Sequence, residues 1–274
     1  MKDTQQPCAI CNQIEWKFHA FFTQKPDIEA DYGFQRYQRS LFECQTCGHF
    51  ENRYGGDIDL SSLYEGGYWD STYADQVKST FDRIMSLPAD QSDNRGRVDF
   101  INRFWEQNAL LKKTVLDIGS GLAVFPAVMK ETGWEVTALD PDAKAAEHAR
   151  NNANVKSVAA DYLKDNVDGK YTLVTLNKVL EHVPDMTGML NKVKHNLSKD
   201  GLVYVELPDG ETAIHDPDNA TREEFLVEHY CAFSFASYSL LASKAGFNVL
   251  TLERLIEPSG KYTLRGFLKV KDNA

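Results

Sequence analysis

Between Thr114 and Leu207 the sequence alternates short apolar runs with amphipathic stretches, and no other feature restricts the fold as much. Thr114–Ile118 reads as a buried strand broken by Gly119-Ser120-Gly121, and Leu122 to Thr132 then carries helical spacing up to Gly133. Glu135–Leu139 is a second strand, closed by Asp140-Pro141-Asp142 and followed by a helix from Ala143 to about Asn151. Val155–Ala159, Tyr171–Leu176 and Gly201–Leu207 supply three more strands, with a helix from Met186 to Leu197 between the last two. Strands near Val249–Ile256 and Tyr262–Val270 close the sheet as an antiparallel hairpin around Pro258-Ser259-Gly260. Such alternation winds a right-handed, mostly parallel sheet that binds ligands at the carboxyl ends of its strands. The expected class is therefore α/β: a Rossmann-like sheet of seven strands, the last one antiparallel.

The glycine turn says little alone, because any nucleotide-binding crossover needs glycine where backbone approaches a ligand. Its neighbours are more informative. A dinucleotide fingerprint requires Gly or Ala three residues after the second glycine, and Val124 stands there. Asp117 instead puts a carboxylate at the mouth of the strand, which suits a sulfonium or an amino group better than a pyrophosphate. Asp140 ends the second strand, where an acid can take both hydroxyls of a ribose. Asp161-Tyr162 follows the third, in position for the amine and face of an adenine.

Four of the five cysteines fall in two pairs, Cys8-x-x-Cys11 and Cys44-x-x-Cys47. A two-residue spacer lets both sulfurs of one turn reach the same tetrahedral ion, so the double pair predicts a four-thiolate structural zinc site, with no open coordination position. A disulfide reading conflicts with the reducing compartment expected below, and the second pair sits in a turn rather than at a redox-active helix start. Cys231 is expected to be a small buried apolar residue, and His19 and His49 to be surface residues beside the cysteines. Apolar spacing near 3 and 4 over residues 72–110 predicts two helices broken around Pro88 to Gly96. The domain reading is a zinc-binding module over 1–55, a helical cap and linker over 56–112, and a ligand-binding α/β domain over 113–274. The module has too few apolar residues for a core of its own without metal and is expected to dock on the cap.

Val115-Leu-Asp-Ile-Gly-Ser-Gly121, Leu139-Asp-Pro141, Ala160-Asp-Tyr162, Leu180-Glu-His-Val183 and Lys199-Asp-Gly201 occur in the order typical of class I S-adenosylmethionine-dependent methyltransferases. The segment from Thr114 to Pro208 resembles that family. The resemblance implies that Asp117, Gly119 and Gly121 line the methionine end of the cofactor, that Asp140 with Pro141 meets the ribose, and that Asp161 with Tyr162 meets the adenine. It also implies that Asn177, Glu181 and His182 border the site. Ala123 stands where many members have a third glycine.

The cysteine pairs, the aromatic stretch Tyr64-Glu-Gly-Gly-Tyr68-Trp69, and Glu228-His229 shortly before Phe233-Ser234 are similar to zinc-containing methyltransferases acting on nucleotide-linked deoxysugars. By that resemblance Glu228, His229, Tyr64 and Tyr68 surround the acceptor, with His229 or Glu228 as base. The implied reaction is methyl transfer from S-adenosyl-L-methionine to carbon, oxygen or nitrogen of a small molecule, a sugar or nucleotide-linked sugar.

Thirty Lys+Arg against forty Asp+Glu leave a net charge of −10. That charge disfavours nucleic acid and anionic membranes as partners, and no basic run offsets it. An RNA base methyltransferase gripping RNA through the zinc module fits this charge poorly, and a non-catalytic cofactor-binding regulator is the other alternative. No apolar run reaches the length of a membrane span, and Met1–Gln13 lacks a signal-peptide pattern, so the expected address is the cytoplasm.

Overall fold

The computed structural model describes residues 6–60, 76–110 and 112–271. Two sheets share the chain. The first joins β1 (Trp16–Phe22), β2 (Tyr37–Cys44), β3 (Phe50–Gly56) and the two-residue β9 (Cys231–Ala232), in that order and antiparallel throughout. The second comprises β4 (Thr114–Ile118), β5 (Glu135–Asp140), β6 (Lys156–Ala159), β7 (Tyr171–Asn177), β8 (Leu197–Pro208), β10 (Phe247–Ile256) and β11 (Tyr262–Val270).

In the second sheet the order is β10-β11-β8-β7-β4-β5-β6, with β4 to β8 mutually parallel and β11 antiparallel to both its neighbours. The seven-stranded sheet with one antiparallel strand matches the sequence reading. The chain runs outward from β4 through β5 and β6, then returns to β7 on the other side of β4. The carboxyl end of β4 is therefore the switch point, where an open α/β sheet leaves a crevice for ligands.

The central strands bury both faces, and their period of two divides the core. Leu116, Ile118, Val174, Leu176, Val203 and Val205 point to one side, where Tyr238 and Leu241 of α7 (Phe235–Lys244) meet them. Val115, Val136, Ala138, Leu173 and Tyr204 point to the other. There they meet α1 (Val77–Met85), α2 (Asp93–Gln107), α3 (Val124–Glu131) and α4 (Ala143–Asn151). Two short helices, α5 (Met186–Lys192) and α6 (Gly210–Ala213), complete the set described.

The break in the cap is shorter than the sequence suggested. Ser92 accepts a hydrogen bond from the Arg95 N–H and caps α2, so Gly96 lies inside the helix. Among the described residues, the cysteine-bearing module meets the segment 56–112 through Ile58 and Leu60, which pack with Tyr37. It packs against the segment between β8 and α7, and that segment lends it β9.

One buried charge cluster ties α2 to the sheet. The Arg97 guanidinium grips Glu206 of β8 through both carboxylate oxygens, Nε at 2.6 Å, and also reaches Glu257 at 3.3 Å and Asn94 at 2.9 Å. Tyr204 donates to Glu206 as well, at 2.8 Å. Burial works to raise the Glu206 pKa, but Arg97 outweighs it and holds the group at about 2. Breaking such a pair strands a carboxylate in the interior. Arg97→Met should therefore cost about 3–5 kcal/mol in urea unfolding, and adding Glu206→Gln should recover part of the loss.

Candidate functional site

The crevice is built where β4 meets the glycine turn. Gly119 and Gly121 have φ of +73° and +48°, and Ala123 follows at +55° with its side chain fully buried. The third-glycine position is thus left-handed, and the smallest chiral residue occupies it. A Cβ on Gly119 would lie 2.7 Å from Cγ2 of Val179, so the turn after β7 packs directly on the glycine turn. The N–H groups of Gly119 and Ser120 both bond the Leu139 carbonyl, at 2.8 and 3.1 Å, which stitches the turn to β5.

Asp117 is almost wholly buried and accepts hydrogen bonds at Oδ1 from Thr175 Oγ1 at 2.6 Å and Asn177 Nδ2 at 2.9 Å. Burial pushes its carboxyl up to about 7 against the pull of these donors. The Asn177 side-chain oxygen Oδ1 is buried with no hydrogen-bond partner among the described residues, an acceptor left over beside this carboxylate. Asp140, at the end of β5, is oriented by the N–H of Gly121 at 2.9 Å and of Asp142 at 3.0 Å, and burial raises its pKa. Pro141 is exposed just past it. Asp161 is half-buried beyond β6, where burial's upward pull is outweighed by Lys164 and the Leu163 N–H, so its pKa is lowered.

Tyr162 does not lie beside these acids. Its ring is in the core and its hydroxyl donates to Asn196 at 2.8 Å, because the turn after β6 rolls the side chain inward to bury it.

Beyond β7, a short 3-10 turn over Leu180–His182 carries Glu181 and His182. Glu181 is completely buried, neither carboxylate oxygen has a hydrogen-bond partner among the described residues, and burial pushes its pKa up to about 8. The segment after β8 closes over this turn. The Tyr230 N–H bonds the Glu181 carbonyl at 2.8 Å, and Nδ1 of His182 lies 3.0 Å from the Glu228 carbonyl. The rings of His182 and His229 stand edge to face, 4.8 Å between centroids. Nδ1 of His229 lies 3.1 Å from the Glu224 carbonyl. Burial lowers both imidazoles, His182 to about 4 and His229 well below its ordinary value, with the neighbouring His182 adding to the effect. Both rings are therefore neutral near pH 7. Glu228 is half-buried, and burial raises its carboxyl to about 7. Tyr64 and Tyr68 lie outside the described residues.

The position of His229 is set from far away in the sequence. Asn52 Nδ2 donates to the carbonyls of Phe225 at 2.9 Å, Leu226 at 3.2 Å and His229 at 2.8 Å, and Tyr54 Oη donates to Val227 at 3.0 Å and His229 at 2.8 Å. Glu29 accepts the Val227 N–H at 2.8 Å, and Arg39 adds a bond to the Phe225 carbonyl. Sequence reasoning did not find these four. Their one signal is a polar side chain at inward positions of β2 and β3, where Arg39 and Asn52 are buried among apolar neighbours.

The four cysteines form a second centre. Their sulfurs lie within 4.8 Å of one another, with Cys8–Cys47 at 3.7 Å and Cys11–Cys44 at 3.5 Å, and all are free thiols. The edges of a tetrahedron with 2.3 Å metal–sulfur bonds are roughly 3.8 Å, so the cluster fits a zinc ribbon. His19 pairs with Glu43 at 2.8 Å. His49, expected at the surface, is fully buried against Phe233, where burial lowers it to about 3, because the module and the post-β8 segment close around it.

Comparison with known proteins decides the family. A family model described as a methyltransferase domain matches residues 90–252, more than half of the chain. The chain belongs to this methyltransferase-domain family. Among curated proteins, the ubiquinone biosynthesis O-methyltransferase of Actinobacillus pleuropneumoniae serotype 5b (strain L20) is 29% identical over 119 residues, covering 39% of this chain and 50% of that protein. The chain thus spans about half the length of the curated relatives it matches. The Burkholderia thailandensis 1,6-didemethyltoxoflavin-N1-methyltransferase, solved with 1,6-didemethyltoxoflavin and S-adenosylhomocysteine, shares the fold at a TM-score of 0.54 and 18% identity, over 89% of this chain and all of that one. The magnesium protoporphyrin IX methyltransferase of Synechocystis PCC 6803, solved with S-adenosylmethionine, gives 0.56 at 16% identity, over 80% of this chain and all of that one. Among the described residues of this methyltransferase-domain protein, no helix is long and apolar enough to cross a membrane.

The raised Asp117 pKa has a measurable consequence. A carboxyl that moves from its ordinary 3.8 to about 7 on folding contributes stability that is complete below pH 4 and is lost as the pH climbs through 7. Asn at this position keeps the acceptor oxygen and removes the charge. Asp117→Asn should leave the melting temperature of the ligand-free protein unchanged near pH 4 and raise it by about 2–4 °C or more at pH 8; equal melting at both pH values in scanning calorimetry would remove the argument.

Proposed function

We propose that this protein transfers a methyl group from S-adenosyl-L-methionine to a small molecule, a sugar or nucleotide-linked sugar, with a structural zinc ion on Cys8, Cys11, Cys44 and Cys47. The observation that carries the reading is the juxtaposition at the switch point. A buried carboxylate and a glycine turn end the central strand, and a neutral His182–His229 pair is bonded onto the neighbouring turn.

When bound, S-adenosyl-L-methionine supplies an electrophilic methyl on a sulfonium. Asp117 and the spare Asn177 oxygen receive the cationic amino end, which draws Asp117 into its charged form. The backbone of Gly119 to Gly121 follows the methionine chain, the Asp140 carboxylate takes the ribose hydroxyls beside Pro141, and Asp161 meets the adenine amine. Displacement at a sulfonium mainly requires alignment, so most of what the protein contributes is position. Oxygen or carbon acceptors must also lose a proton. His229 is the group we assign to that proton, with Glu228, Tyr64 and Tyr68 around the acceptor, because a neutral imidazole accepts protons near pH 7.

A second reading, an acceptor oxygen on a molecule other than a sugar, is supported by the names of curated relatives such as the O-methyltransferases of ubiquinone biosynthesis. Their similarity covers about 40% of the chain, so it bears on the cofactor half more than on the acceptor loop.

Titration calorimetry with S-adenosylhomocysteine, repeated with thymidine and uridine diphosphate sugars and with a catechol in its presence, tests these readings. Uptake of a nucleotide sugar supports the first, uptake of the catechol alone favours the second, and no binding of S-adenosylhomocysteine defeats both. Asp117→Asn should weaken cofactor binding about tenfold, equivalent to about 1.4 kcal/mol. His229→Asn should leave that affinity unchanged and lower kcat about 10²–10⁴-fold. Cys44→Ser should release zinc, measured by atomic absorption, and lower methyl transfer while S-adenosylhomocysteine still binds, since the module holds the acceptor loop and not the cofactor strands.

A further inference from the structure

We propose that Glu181, His182 and His229 hold a divalent transition-metal ion of the zinc and cobalt type, separate from the four-cysteine centre and placed at the acceptor. One potential ligand atom from each residue lies within 4.8 Å of the other two. Each histidine has its Nδ1 against a main-chain carbonyl, Glu228 at 3.0 Å for His182 and Glu224 at 3.1 Å for His229. A carbonyl only accepts, so Nδ1 carries the proton in both rings and Nε2 is the nitrogen with the lone pair. Metal-bound histidines are commonly held in this way, with the far nitrogen fixing ring and tautomer. Near the two rings lies the Glu181 carboxylate, completely buried and with no hydrogen-bond partner among the described residues, an arrangement that burial makes expensive unless a cation or proton compensates it. The Tyr230 N–H on the Glu181 carbonyl fixes the backbone that carries the carboxylate against the one that carries His229.

Two imidazoles and one carboxylate select a borderline ion over calcium or magnesium, and three protein ligands leave it open positions, unlike the closed cysteine site. Around an ion with bonds near 2.0–2.1 Å, ligand atoms sit roughly 3.3 Å apart. Side-chain rotations would draw the three groups together on binding. The role of the ion rests on the methyl-transfer reading above, and with the ion bound it replaces His229 in the proton step assigned there. An acceptor hydroxyl at an open position loses its proton to solvent near neutral pH, because the cation stabilises the oxyanion. That oxygen forms the C–O bond with its own electron pair, the S–CH3 bond breaks with its pair to sulfur, and a neutral thioether leaves with no redox change. His229 then acts as a ligand, not by taking the proton itself.

Cobalt(II) added to protein whose cysteine site already holds zinc tests the ion directly. We expect one cobalt per chain with the weak visible bands of nitrogen and oxygen ligation and no thiolate charge-transfer band. Glu181→Gln, His182→Asn and His229→Asn should each weaken it at least tenfold, with circular dichroism and bound zinc unchanged. Absence of a second ion in the wild-type protein, or equal cobalt binding by all three variants, overturns the proposal. Cobalt bound by the triad in protein that fails to bind S-adenosylhomocysteine supports the ion site while defeating the methyl-transfer reading.

Discussion

The segment that carries His229 depends on one set of hydrogen bonds: side chains of the N-terminal sheet donating to main-chain carbonyls of residues 225–229. A loop has no ladder to satisfy its backbone, and a buried unpaired carbonyl carries a cost of its own. Asn52 alone serves three carbonyls, and Tyr54 serves two. Because Asn52 and Tyr54 both hold the His229 carbonyl while Nδ1 of the same residue meets Glu224, that imidazole is fixed from both ends. The cysteine cluster pins one end of the β2–β3 hairpin and thereby fixes where these donors stand. Order in the N-terminal module is in this way transmitted to a catalytic candidate far along the chain.

The two walls of the crevice are prepared differently. On one wall, burial holds Asp117 at about 7, so that a cation bound beside it would draw the carboxyl toward its charged form. On the other wall, Glu181, His182 and His229 are all held toward their uncharged forms by burial. That second wall therefore stores little charge in the ligand-free protein, which keeps its desolvation cost small. Arg97 and Glu206 represent the opposite solution, a buried charge paired permanently to hold α2 on the sheet.

The parallel sheet was legible because fully buried strands are written as short apolar runs and the turns between them as glycines and acids. Residues 114–118, 171–176 and 262–270 lie on their predicted strands within one residue. The cysteine cluster was legible from spacing alone. The N-terminal sheet was not, since β1 leaves Phe18 and Phe21 more than half exposed and β9 has two residues, too few for any periodicity. His49 was misread because an imidazole beside a turn looks the same in sequence whether it faces solvent or the core. The meeting of His182 with His229 depends on how the post-β8 segment folds back, which no local pattern encodes.

The N-terminal sheet ends on a strand that belongs to the other half of the protein, and Tyr54 finds its Val227 partner 173 residues downstream. During synthesis at roughly 5–20 residues per second, the first three strands would wait on the order of ten to thirty seconds for the segment that completes them. Over that interval the open edge of β3 is the aggregation risk on the nascent chain. A metal ion captured early by the four cysteines, which need no downstream partner, would hold the hairpins in register until β9 arrives.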